Sequence, residues 1–208
     1  MYKELLSRFL EEHKPVSELP TVAAIAHFRL KALVIPDKGD VRDVMETIYN
    51  ETMPERLEEA AQEKSEIENI SVGSELVRIM RRNVDPLNDY AVVAKAMELE
   101  NEVVPEVLRR FKNNRTNRFI ELAVQVLGKT RLALAETMIG YYDEMQNPYG
   151  QSMVLLLAGF KADENRIPWI ISKYHEMKKN HPSKDYHECA WYGLLEMHIR
   201  FYDDVVQN

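Results

Sequence analysis

At 208 residues and 24.3 kDa, with 45% hydrophobic residues, the chain is long enough for one domain or two small ones, each with a real core. A net charge of −7 argues against a general binder of nucleic acid or anionic membranes. The lone cysteine, Cys189, excludes an internal disulfide framework and suits a reducing compartment, while long stretches free of Gly and Pro point to helix.

The first helix is expected over about 2–13, where Leu5, Leu6, Phe9 and Leu10 share a face. This opening, "MYKELLSRFLEEHK", carries acidic residues and lacks the apolar run of a signal peptide. No uninterrupted apolar stretch nears the roughly 18 residues of a membrane helix, so a cytoplasmic protein with no membrane partner is expected. A second helix, over about 18–34, carries Val22, Ile25, Ala26, Leu30, Leu33 and Val34, a set wide enough to be mostly buried. "IPDKGD" (35–40) then breaks the chain, with Asp40 placed to cap the next helix. Residues 40–70 read as a degenerate capping hairpin.

From Gly73 onward one helix face is written four times. Ile167, Ile170, Ile171, Tyr174 and Met177 follow the spacing 0, 3, 4, 7, 10. The same spacing selects Ala135, Met138, Ile139, Tyr142 and Met145; then Val104, Val107, Leu108, Phe111 and Asn114; then Gly73, Leu76, Val77, Met80 and Asn83. The step is 31 residues, with one extra before the last copy. Each set makes one apolar helical stripe, and similarity at such a period marks a stacked array. Breakers follow each copy ("NVDPLND", "KNNRTN", "QNPYGQ", "KNHPSKD"), and a second helix follows each breaker. In those second helices Ala96, Leu127 and Ala158 keep the step, as do Gly128 and Gly159, where small residues let neighbouring helices approach closely. Two short helices per unit, neither able to bury its face alone, are stable only when stacked.

"VVPEVLRRFKNN" (103–114) and "RIPWIISKYHEM" (166–177) resemble the first helix of a HEAT repeat, and "LAVQVLGK" (122–129) resembles its second. The resemblance covers about 73–200, with two departures. Phe119-Ile120 stands where a valine-arginine pair usually opens the second helix, and asparagine mostly replaces the aspartate of the inter-helix turn. The expected fold is all-α: a short α-α superhelix of four HEAT-like hairpins (72–208) behind an N-terminal cap (1–71), in one continuous domain.

Charge is uneven, with 11 acidic against 4 basic residues in 37–71 and 11 basic against 8 acidic in 72–131. Arg78 and Arg109 share a template position, as do Arg81 and Lys112, so the arginines form either a basic strip or a solvated face paired with glutamates. His187 and Cys189 are two apart and face different directions on a helix, which speaks against a shared metal. Cys189, inside "ECAWYGLL", reads as a buried, inert thiol. Neither a phosphate loop nor a nucleophile elbow is present in the sequence. No enzyme activity, cofactor or metal is therefore expected.

A HEAT-like stack implies a surface lined by its second helices, and a protein or peptide as partner. The contact residues expected there are Asn88, Arg118, Glu121, Gln125, Tyr149, Gln151, His187 and Trp191, polar or aromatic residues near the starts or solvent faces of second helices. Trp169, off the main stripe, is either a packing residue or an interface anchor. Two other readings belong to different classes: a HEAT-like DNA-repair protein of the alkylated-base glycosylase type or another nucleic-acid-binding protein, which the net charge opposes, and an acidic inhibitor or immunity-type partner of a basic enzyme, which the charge of residues 37–71 supports.

Overall fold

The computed structural model describes residues 2–16, 21–34 and 54–203. Asp40 and the first half of the expected capping hairpin lie outside them. Among the described residues the chain is all-α, with eleven α-helices and three short 3₁₀ turns. They are α1 (Tyr2–Glu12), α2 (Val22–Val34), α3 (Pro54–Glu68), α4 (Gly73–Met80), α5 (Asp89–Glu98), α6 (Glu100–Phe111), α7 (Asn117–Lys129), α8 (Ala135–Tyr141), α9 (Pro148–Lys161), α10 (Ile167–Asn180) and α11 (Glu188–Tyr202). None of them is long and apolar enough to cross a membrane.

The helices begin where the breaker chemistry places them. Asp85 accepts a hydrogen bond from the Leu87 N–H at 3.0 Å, with Pro86 opening the 3₁₀ turn that leads into α5. Asn147 does the same for Tyr149 at 3.1 Å, with Pro148 as the first residue of α9. In both, the proline occupies a position whose N–H has no helical partner, and an Asx side chain satisfies the next one.

The chain divides into two compact units: a central one, Arg29–Arg131, and a terminal one built from Met1–Phe28 and Leu132–Asn208. In the central unit α4 packs on α6, while the second helices α3, α5 and α7 pack in series. In the terminal unit α9 packs on α11, and α1 and α10 both pack on α11. Leu76 and Met80 of α4, Val107 and Phe111 of α6, Met138 of α8 with Tyr142 just beyond it, and Ile170 and Tyr174 of α10 are all buried. These are the third-step and seventh-step positions of the repeated face. Position four is less constant, since Ile139 and Ile171 are only half-buried. Hairpin on hairpin within each unit is compatible with a helical superhelix.

The inward face of α2 differs from expectation. Ala23, His27 and Leu30 are buried, while Val22 and Ile25 are exposed. The reason is a partner far away in the chain: His27 Nε2 lies 2.6 Å from the Glu196 carboxylate, in a buried pair. Together with packing of its ring against Tyr192 (4.9 Å between centroids), that contact sets which way the helix faces.

Candidate functional site: a groove between α3 and α5

In the central unit, a groove of about 330 Å³ opens between α3 and α5. Leu87, Tyr90, Ala91 and Ala94 line it with apolar surface, and Lys64, Glu68, Lys95 and Glu98 give it charged sides. Leu87 is buried at its base, Ala94 is exposed, and Tyr90 is 53% exposed, one of the large apolar side chains left in water. The charges neutralise one another: Lys64 and Glu68 are paired at 3.7 Å, and Lys95 and Glu98 at 2.5 Å. Both glutamates are well exposed, and the Lys64–Glu68 pair contributes little to stability, whereas the Lys95 side chain is 13% exposed.

The 31-residue step explains why the groove is there. Ala91 and Ala94 of α5 correspond to Leu122 and Gln125 of α7. Leu122 is fully buried, and Gln125 donates to Asp89 of α5 at 2.8 Å, so long side chains fill the α5/α7 seam. One step earlier the same two positions hold single methyl groups, and among the described residues the α3/α5 seam stays open.

Polar ties hold the sides of this seam in place. Asn88 donates to the Ala60 carbonyl at 2.9 Å and to Glu63 at 2.7 Å, and the Asp85 N–H donates to the same Glu63 oxygen at 3.0 Å. Arg56 pairs with Asp85 at 3.0 Å. One layer on, Arg118 makes a two-pronged pair with Asp89 and donates through Nε to the Val84 carbonyl at 2.9 Å. Both side chains of that pair are 12% exposed.

The structure places the proposed contact residues as follows. Asn88 and Gln125 are 2% and 5% exposed, and Arg118 is spent on Asp89, so all three are interior ties between second helices. Tyr149 and Trp191 are also buried; the Trp191 indole donates to the Leu10 carbonyl at 3.1 Å and so docks α1. Gln151 is half-buried and donates to the Tyr142 carbonyl at 3.0 Å. His187 is half-buried with its Nδ1 enclosed and without a hydrogen-bond partner, its ring 5.2 Å from that of Tyr174. Glu121 is half-buried, 3.8 Å from Arg118. The open groove gathers none of the eight. Its own marker, two alanines where the next repeat has leucine and glutamine, was available in the sequence.

Two other features are located. Arg78 pairs with Glu75, and Arg109 with Glu106 at 2.8 Å, at the same i−3 spacing one step apart. Hydrogen bonds from Arg109 and then Arg110 hold the Glu106 carboxyl at about 2, well below the usual range. The arginines at those positions are thus part of a solvated, glutamate-paired face. Cys189 is buried, and burial pushes its thiol up to about 12, which keeps it protonated and unreactive. Trp169 is half-buried with its edge against Tyr142, 5.4 Å between centroids.

No family model, curated protein or solved structure matches this chain.

Proposed function

We propose that the chain is a non-catalytic protein- or peptide-binding platform, a divergent HEAT-like stack working in the cytoplasm and presenting the surface of its second helices. The observation that supports this is the α3/α5 groove, where apolar lining, a half-exposed tyrosine and balanced charge lie together on one pair of helices. Tyrosine and small apolar surface rimmed by charges form the usual pattern of a protein contact site. At about 330 Å³ the groove is at the small end for a small-molecule pocket, roughly 300–1,000 Å³, and suits side chains offered by another protein. Glutamate pairing of Arg78, Arg109 and Arg110 leaves the DNA-repair alternative with less free cationic surface than the sequence offered.

The test is a photo-crosslinking side chain at position 94 of the full chain, exposed to cytoplasmic extract, with the exposed position 172 as control. Protein adducts that form from 94 and not from 172 are expected. Nucleic-acid adducts, or equal yields from both positions, would overturn the reading.

A further inference from the structure

Four of the six histidines, His13, His175, His187 and His198, lie in the terminal unit where α1 rests on α10 and α11. The helix they surround is lightly held. Leu6 and Phe9 are the buried residues of α1, whereas α9 in the same unit buries most of its length. Two polar contacts add to this: Trp191 donates to the Leu10 carbonyl at 3.1 Å, and Ser7 Oγ lies 3.1 Å from His198 Nε2. A hydroxyl both donates and accepts, so the His198 contact forms whether or not that ring carries a second proton.

The rings around Tyr174 are placed differently. His13, just past the end of α1, lies 5.3 Å from His175 and 5.2 Å from Tyr174, both on α10. Phe9 closes the group, 4.6 Å from His13 and 5.0 Å from Tyr174. His187, just ahead of α11, reaches the same Tyr174 at 5.2 Å. The charged groups facing these rings are Lys178 of α10, Glu12 of α1, and Asp185 and Glu188 on either side of His187. Each of the three carboxylates is already engaged. Glu12 pairs with Arg8 at 3.9 Å, Glu188 accepts from the Thr21 hydroxyl at 2.6 Å, and Asp185 accepts from the Val22 N–H at 3.2 Å. Added protons therefore repel: His13 and His175 face each other across the α1/α10 contact, and Lys178 already stands beside them.

We propose that α1 is an acid-released latch, in which protonation of His13 and His175 pushes α1 off α10 and uncovers Leu6 and Phe9 while the rest of the terminal unit stays folded. Histidine is the side chain suited to such a switch near neutral pH. Burial first, then His175 and Lys178, lower the pKa of His13 against the pull of Glu12. A histidine whose docked value lies below the free 6.5 favours docking fully above 6.5, and that contribution is lost as pH falls from there through the docked value. The latch is separate from the α3/α5 groove, and its failure would leave the platform reading untouched.

The test is amide hydrogen–deuterium exchange of the full chain at pH 7.5 and pH 5.5, each rate corrected for intrinsic exchange, with α9 as the internal reference. Protection in α1 should fall about fivefold on acidification while protection in α9 holds. A His13→Gln/His175→Gln double variant should reduce that fall to less than about twofold. His175→Gln alone, at an exposed position that tolerates the change, should weaken it in the same direction. Protection in α1 that ignores pH would overturn the latch. Equal losses in α1 and α9 would overturn it too, since the unit would then be responding as a whole. A fall confined to α1 that the double variant keeps would place the response on other groups and remove His13 and His175 from it.

Discussion

In the central unit, Asn88 reaches Glu63, Arg118 reaches Asp89 and Thr130 reaches Glu100, contacts spanning 25, 29 and 30 residues. In the terminal unit, Thr21 reaches Glu188, His27 reaches Glu196 and Trp191 reaches Leu10, across 167, 169 and 181 residues. One region is thus tied helix to helix over spans of 25–30 residues, and the other is closed by bringing residues near the start of the chain to residues near its end. The added loop-closure entropy is modest, about 0.6 kcal/mol per doubling of length, and burial at the far end outweighs it. Their interiors differ in the same sense. The central unit relies on hydrogen-bonded polar side chains between second helices, whereas the terminal unit brings the backbones of α9 and α11 into contact. There an added Cβ on Gly159 would meet the Gly193 carbonyl oxygen at 2.2 Å, and one on Gly193 would meet the Leu155 carbonyl oxygen at 2.5 Å.

The two tryptophans, Trp169 and Trp191, both belong to the terminal unit, so their fluorescence reports that unit while far-ultraviolet circular dichroism reports both. The largest effect is expected from Asp89→Ala. It leaves the enclosed Arg118 guanidinium with only the more distant Glu121 carboxylate and Gln125 with only the longer bond to the Glu121 carbonyl, a loss of about 3 kcal/mol. The loss should appear in the dichroism melt and much less in the fluorescence melt. Matching shifts in both would mean that the two units unfold together.

Gly159→Ala should come next and reverse that pattern. The methyl meets backbone atoms of Gly193, which cannot rotate away, so α9 and α11 must separate at a cost of about 3 kcal/mol. Gly128→Ala provides the contrast at the same repeat position. Its methyl meets side-chain atoms of Leu30 and no backbone, so a shift of that one buried side chain relieves it and the cost should be smaller, about 1–2 kcal/mol. Equal losses at the two glycines would remove the distinction between backbone contact and side-chain contact.

Much of this was legible in advance for a physical reason. A stripe repeated at a fixed step is a local property, and Leu76, Val107, Met138 and Ile170 are buried as their spacing requires. Gly128 and Gly159 were readable as points of close approach, but not what approaches them: a leucine in one case, a glycine backbone in the other. The face of α2 was misread because His27 turns inward toward Glu196, and no pattern within one helix encodes a partner 169 residues away. Polarity in the sequence does not signal exposure at Asn88 and Gln125, which are both buried. A neighbouring helix can satisfy a buried polar side chain, as Asp89 of α5 does for Gln125. The groove was readable by comparing second helices position by position and looking for the shortest side chains.

A smaller effect tests the long-range closure of the terminal unit through pH. His13 lies where α1 ends, 5.2 Å from Tyr174 and 5.3 Å from His175 of α10. His187 meets Tyr174 from the start of α11. Burial lowers the pKa of both, helped by His175 and Lys178 at His13 and by Lys178 at His187, against the opposing pull of Glu12 at the first and of Glu188 and Asp185 at the second. A histidine whose folded pKa lies below the unfolded 6.5 favours folding fully above 6.5, and its contribution is lost as pH falls from there through the folded value. The fluorescence melt should therefore move down on acidification from about pH 7.5 to about pH 5.5, by a few degrees. His187→Gln should flatten that dependence, and a wild-type fluorescence melt indifferent to pH would show that these rings stay solvated.

The smallest expected effect has the opposite sign. Gly140 sits exposed in α8, and a Cβ built there meets no atom within 4 Å. Glycine inside a helix costs roughly 0.5–1 kcal/mol relative to alanine, because the unfolded chain has more freedom to lose. Gly140→Ala should therefore stabilise the terminal unit by about that amount, raising the fluorescence melt by about 2–3 °C. Set beside Gly159→Ala, the same chemical change in the same unit should give opposite signs, since one methyl enters water and the other enters a backbone contact. If both alanines destabilise, α8 needs the glycine for a reason other than space, and the close approach of α9 and α11 is not what distinguishes the two positions.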